Sequence, residues 1–147
     1  MANKITQPII GGIVATVAFS LETIIAPFMG LPKMSPPEML STMMGVSIAL
    51  GWIMHFMVGI IFAFAYAFLF IKVVKKVSNN ILKGAIFGLA VFIIAQIFIA
   101  IIGLLMPMPP MEGSMMLVII GSFIAHIIFG IVVALFVKEQ VGEKTFA

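Results

Sequence analysis

Four polar side chains interrupt the long apolar stretches of this chain, and their types could do chemistry. They are Glu22, His55, Gln96 and His126, and the two histidines are the only ones in the sequence. Imidazole nitrogens and a carboxylate are ligands of iron, copper and zinc, and histidine is also an axial ligand of haem. Because an ionisable group inside a membrane span is costly, each one is a functional hypothesis by default.

These polar residues lie on stripes of small residues with helical spacing. The second span shows this best, with a stripe of Ser47, Gly51, His55, Gly59, Ala63 and Ala67. Small residues at this spacing mark the surfaces on which membrane helices approach each other closely. We therefore expect each of four helices to direct one polar side chain into the bundle, at similar depth.

Several functions fit this polar cluster. His55 and His126 could sandwich a haem b, or could join Glu22 as ligands of iron or copper, with Gln96 as a supporting polar residue. The lack of arginine to meet haem propionates counts against haem. Alternatively, the four side chains only hold helices together in an accessory or scaffold subunit of a membrane complex. A third interpretation is a small proton-coupled transporter with a relay through Glu22 and a histidine.

Methionine supplies a second candidate site. Ten of the 13 methionines lie in or beside the two loops that join spans one to two and three to four. Thioether sulfur selects Cu(I), and a four-residue spacing places Met39 with Met43, and Met111 with Met115, on one helix face. Methionine is also an adaptable apolar residue that suits irregular interfaces, and we favour that packing role.

Composition excludes most other classes of protein. The chain is 63% hydrophobic and 9% charged, with a mean hydropathy of +1.32, whereas soluble domains are about 25% charged. The absence of cysteine excludes disulfides and thiolate metal sites, and no nucleophile motif or phosphate-binding loop is present. We therefore expect a protein that is not an enzyme. We also expect no nucleic-acid partner, because the lysine positions have another cause.

Long uncharged runs predict an all-α bundle of four transmembrane helices in one membrane domain, 1–147. About 20 apolar residues cross a bilayer, and the predicted spans are 5–30, 44–71, 82–106 and 114–137. The short segment 72–83 makes spans two and three antiparallel neighbours. Ser35-Pro36-Pro37-Glu38 is typical of a helix start, and predicts a short interfacial helix over 36–44 with a bend near Gly45.

The lysines predict the orientation of the bundle. Seven of the eight lie at the two termini and in the middle loop, and only Lys33 lies in one of the other two loops. Lysine is enriched in cytoplasmic loops. The N and C termini are therefore expected to be cytoplasmic.

An internal repeat is also predicted, over 5–71 and 82–137. Pro36-Pro37 recurs as Pro109-Pro110, and His55-x-x-x-Gly59-Ile60 recurs as His126-x-x-x-Gly130-Ile131. An offset of 74 would pair Glu22 with Gln96. Because each unit has two helices, the two halves would run parallel, related by an axis along the membrane normal.

Specific segments of the first half also resemble a known family. They are Met29-Gly30-Leu31-Pro32-Lys33-Met34, Met43-Met44-Gly45, the segment from Gly51 to Gly59 with its Trp52-Ile53-Met54-His55 core, and Tyr66. They resemble small four-helix proteins of the bacterial inner membrane that share a domain of unknown function. The resemblance implies a multi-pass protein of that membrane and no particular activity. The lipid bilayer is the expected partner, with a homo-oligomer or a larger membrane complex left open.

Overall fold

The computed structural model describes residues 2–105 and 113–138, and over these ranges the chain is helical with no strand. Its helices are α1 (Ala2–Ile25), α2 (Pro36–Met44), α3 (Ile48–Ala65), α4 (Ile71–Val73), α5 (Asn80–Leu105) and α6 (Met115–Phe136). A 3₁₀ turn (Ala26–Met29) extends α1, and a π-helical turn (Tyr66–Phe70) joins α3 to α4. Four stretches are long and apolar enough to cross a membrane: Lys4–Met29, Ile48–Val73, Asn80–Leu105 and Met115–Phe136. The prediction of an all-helical protein with four apolar spans is confirmed.

Local sequence explains the helix ends. The first span ends in a 3₁₀ turn that contains Pro27. The α-helix stops there because proline cannot continue the hydrogen-bonding pattern of a helix. The Ser35 side chain accepts a hydrogen bond from the Glu38 backbone N–H at the start of α2. Gly45 ends α2 with a positive φ of 63°, a conformation that glycine adopts without strain. The short helix over 36–44 is therefore present as predicted.

The four spans pack with α1 in the centre. It contacts α3 on one side and α6 on the other, while α5 packs on α6 and α2 packs on α3. The prediction that spans two and three are close neighbours is wrong for most of their length. In the described residues α3 and α5 share no extended interface, and the two spans meet where Tyr66 and Phe70 contact Phe87. A short connection brings the adjoining helix ends together but does not fix how the rest of each helix packs.

Glycines set the closest helix crossings in both halves. A Cβ added to Gly12 would lie 2.7 Å from the Ile60 Cα atom and 3.1 Å from the Gly59 carbonyl oxygen. A Cβ added to Gly84 would meet the Ile131 Cα atom and would lie 2.6 Å from the Gly130 carbonyl oxygen. Such distances leave no room for a side chain. The crossing of α1 with α3 therefore uses the same kind of contact as the crossing of α5 with α6.

The apolar core lies towards one end of the bundle, which we call the Lys72 end. There Tyr66, Phe87, Phe129 and Val133 are buried. The opposite end contains the end of α1 and the starts of α3 and α6, and we call it the Pro27 end. Outward-facing leucine, isoleucine and phenylalanine side chains are exposed along all four spans, as expected for surfaces that contact lipid.

Candidate functional site

His55 of α3 bonds to a serine of α1. The Ser20 hydroxyl donates to the Thr16 carbonyl oxygen at 2.8 Å, so its oxygen is left to accept from His55 Nε2 at 3.3 Å. The hydrogen-bond network thus assigns the proton of the ring to Nε2. The described residues offer no hydrogen bond to His55 Nδ1. This contact ties α1 to α3 with a bond that is buried on both sides.

His126 of α6 bonds within its own helix. Its Nδ1 atom lies 2.7 Å from the carbonyl oxygen of Ser122, one turn earlier, and the Nδ1–H donates to that oxygen. The Ser122 hydroxyl oxygen in turn accepts a hydrogen bond from the Gln96 amide of α5 at 3.3 Å. The link between α5 and α6 therefore runs through Gln96 and Ser122, and His126 Nε2 has no hydrogen bond among the described residues.

Phe19 of α1 contacts both histidine rings. Its ring centroid lies 5.6 Å from that of His55 and 4.9 Å from that of His126, edge to face in both cases. Trp52 and Phe92 approach the same two histidines, at centroid distances of 6.2 Å and 5.9 Å. Aromatic rings therefore flank both imidazoles, and one phenylalanine, Phe19, is shared between them.

Glu22 stands apart from these bonds. Its side chain is half-buried, and its Oε2 atom is buried without a hydrogen-bond partner in the described part of the chain. Residues 2–105 and 113–138 contain no group of three histidine, cysteine, aspartate or glutamate side chains placed to hold a metal ion. The structure thus brings each histidine to a serine and to Phe19, and it does not bring Glu22, His55 and His126 together as a three-ligand set.

The methionines that were predicted as soft-metal ligands have different surroundings. Met43 is buried in α2 and Met39 is half-buried, which suits the packing role. Met115 begins α6 with 64% of its surface exposed. Met111 lies outside the described residues.

Two site residues escaped the sequence reasoning. Ser20 was not singled out, although Thr16, Ser20 and Thr23 follow one another at helical spacing and would mark a polar face of α1. Phe19 is one of 14 phenylalanines, and nothing in its neighbourhood along the chain distinguishes it. Its role depends on the position of α1 between two other helices.

Comparison with protein-family models shows which family the chain belongs to. Residues 2–146 match a family of unknown function (DUF6789), so the chain belongs to that family. No curated protein matches it, and no solved structure matches it. The family is therefore shown, and it carries no assigned activity.

Proposed function

Since membership of this family assigns no activity, we propose that the protein is a non-enzymatic, multi-pass membrane protein that serves as an accessory or scaffold subunit. In this proposal its intramembrane polar residues hold helices together. The observation that carries it is that two of the four polar residues, His55 and Gln96, form hydrogen bonds between helices. His55 bonds to Ser20 across α1 and α3, and Gln96 bonds to Ser122 across α5 and α6.

The free energies of these hydrogen bonds are those expected of side chains that link neighbouring helices. A hydrogen bond between membrane helices contributes about 0.6 kcal/mol, so two of them adjust the bundle without dominating its stability. Backbone contact at Gly84 and Gly130 brings α5 and α6 much closer than a polar side chain could. The polar bonds therefore fix the rotation of each helix in a pair that glycine packing already holds.

A second proposal, binding of haem b or a transition metal (iron or copper) by His55 and His126, has one specific observation in its favour. Metal-bound histidine commonly donates its other ring N–H to a backbone carbonyl, which is what His126 Nδ1 does with Ser122. His55 Nδ1 and His126 Nε2 are the nitrogens left to bind. Phe19, which contacts both rings, would have to move aside for one ligand to reach both.

A proton-coupled transporter has less support. The Oε2 atom of Glu22, which has no hydrogen-bond partner among the described residues, suits a proton carrier. A relay also needs a continuous chain of hydrogen bonds, and the bonds of His55 and His126 run to serines. We therefore rank this function third.

A visible absorption spectrum and an elemental analysis of the detergent-purified protein separate these proposals. The scaffold proposal predicts no Soret band and far less than one iron or copper per chain. A Soret band or bound metal that His55→Ala and His126→Ala both remove would replace it with the binding function. Gln96→Ala is the matched control, because it breaks a link between helices without removing an imidazole.

We further propose the bacterial inner membrane as the location, with both termini in the cytoplasm. The distribution of lysines supports this orientation, since Lys72, Lys75 and Lys76 all lie at one end of the bundle. Reporter fusions at residues 35 and 147 should then report opposite compartments. Two fusions that report the same compartment would contradict this topology.

A further inference from the structure

A cavity of about 400 Å³ opens at the Pro27 end of the bundle. It lies between the end of α1, the segment that joins α1 to α2, and the first turns of α2 and α3. Thr23, Ile24, Met34, Pro37 and Trp52 are among the residues that line it. Its volume falls in the range of small-ligand sites, roughly 300–1,000 Å³.

The interior of this cavity offers a ligand mainly apolar surface. Ser20 and Thr23 line it, but both hydroxyls already donate to backbone carbonyl oxygens, those of Thr16 and Ser20. The remaining wall is mainly isoleucine, proline, phenylalanine and methionine, with the Trp52 indole. An apolar group is therefore the chemistry that fits its interior.

Two opposite charges line the same cavity. Lys33 Nζ lies 3.8 Å from Glu38 Oε1, and the two side chains are 68% and 58% exposed. An ion pair this exposed contributes little stability, so each group can exchange its partner for a charged ligand at small cost. A simple anion would be repelled by Glu38 and a simple cation by Lys33, whereas a zwitterion satisfies both.

The entrance lies where a membrane span ends. The first span closes at Met29, and Phe28 and Met29, which end it, are 88% and 77% exposed. Apolar side chains this exposed are suited to lipid, and tryptophan is enriched where the hydrocarbon core meets the headgroups. A ligand that enters the cavity from the membrane therefore meets apolar walls and a charged pair together.

We propose that this cavity binds a zwitterionic phospholipid. Lys33 faces the phosphate, Glu38 faces the ammonium group, and the glycerol and first acyl carbons lie against Ile24 and Trp52. The argument is charge complementarity in a cavity at headgroup depth. It does not depend on whether the histidines bind a cofactor.

The single tryptophan of the chain makes this binding measurable. The protein would be reconstituted in bilayers of phosphatidylethanolamine and phosphatidylglycerol in equal amounts, with brominated acyl chains on one lipid at a time. Bromine quenches tryptophan fluorescence on contact. Trp52 should associate with the zwitterionic lipid about threefold more strongly than with the anionic one, a preference of the size that exposed ion pairs supply.

Substitutions at the two charges sharpen the test. Lys33→Gln should raise the preference, because Glu38 alone still attracts the ammonium group and repels the anionic lipid. Glu38→Gln should turn the preference towards the anionic lipid, because a lone lysine remains. Lys72→Gln, an exposed lysine at the other end of the bundle, is the matched control and should keep the wild-type preference. Equal quenching by both lipids in the wild type would overturn the proposal. So would a Glu38→Gln protein that behaves like Lys72→Gln.

A soluble zwitterion would offer the same charges without the acyl chains. Phosphoethanolamine added to the water phase should leave the quenching unchanged if a lipid is the ligand, because the apolar wall contributes to binding. Full displacement of the brominated lipid by phosphoethanolamine would overturn the assignment to lipid.

Discussion

The two helix pairs of this protein, α1 with α3 and α5 with α6, cross in similar ways but are joined by different chemistry. Gly12 meets Gly59 and Ile60 in the first pair, and Gly84 meets Gly130 and Ile131 in the second. One turn further along, α1 has Thr16 whereas α5 has a glycine, Gly88. At this turn a side-chain hydroxyl therefore fills the first interface, whereas backbone contact continues in the second.

The difference between the two pairs shows which helix contacts the predicted repeat would account for. The matching glycines support our proposal of two repeats, at an offset of 72 for Gly12 and Gly84. That offset does not pair Glu22 with Gln96, which are 74 apart. The contacts between the two pairs do not follow the repeat. α1 packs along α6, whereas α3 and α5 share no extended interface in the described residues. The repeat that we propose would therefore apply within each pair and not to the contact between pairs.

The largest expected effect comes from Phe19, which joins the two pairs. Phe19→Ala should lower the free energy of unfolding by about 3 kcal/mol, the low end for a buried phenylalanine, because lipid also offers the unfolded chain apolar surroundings. Phe28→Ala, on the same span but 88% exposed, should cost almost nothing. Unfolding by SDS in mixed micelles, followed by circular dichroism, measures both. Equal losses would show that Phe19 does not join the pairs.

Gly130→Ala and Gly59→Ala test the difference between the crossings. A Cβ at Gly130 would lie 2.6 Å from the Gly88 Cα atom, and backbone cannot move aside, so we expect a loss of about 2 kcal/mol. A Cβ at Gly59 would meet the Thr16 hydroxyl, which can rotate away, so a loss of about 1 kcal/mol is expected.

The same unfolding assay compares the two glycine variants, with Gly103→Ala at an exposed position of α5 as control. If Gly59→Ala is as damaging as Gly130→Ala, the hydroxyl-filled interface is as rigid as the backbone one, contrary to our comparison.

Helix caps provide a smaller contrast. The Ser47 side chain accepts a hydrogen bond from the Leu50 N–H at the start of α3, whereas the Ser114 side chain makes no such bond at the start of α6. Ser47→Ala should therefore cost about 1 kcal/mol, and Ser114→Ala much less. Losses of similar size in the unfolding assay would remove this difference between the pairs.

Much of the fold was predictable because a few residues determine each element. Uncharged runs gave the four spans, and Ser35 with Pro36 gave the start of α2, since capping depends on nearby residues. The π-helical turn at Tyr66–Phe70 was not predicted. The central place of α1 was missed because it depends on how helix surfaces fit together, which loop length does not reveal.

The candidate site was predictable only in part. Small-residue stripes indicated that His55 lies inward, and it is buried. Its partner was not predictable, since the partner depends on how α1 is rotated about its axis, and either Glu22 or Ser20 could have faced α3. His126 forms its hydrogen bond within its own helix, because the Ser122 carbonyl oxygen lies one turn earlier, within reach of Nδ1.

Double-mutant cycles test most directly the claim that these polar groups link the two helices of each pair. Ser20→Ala with His55→Ala, and Gln96→Ala with Ser122→Ala, should each give a coupling energy of about 0.6 kcal/mol in the unfolding assay. Ser20→Ala with His126→Ala is the control, since the structure has no hydrogen bond between that described pair, and should give almost none. Coupling energies near zero for both bonded pairs would contradict the account.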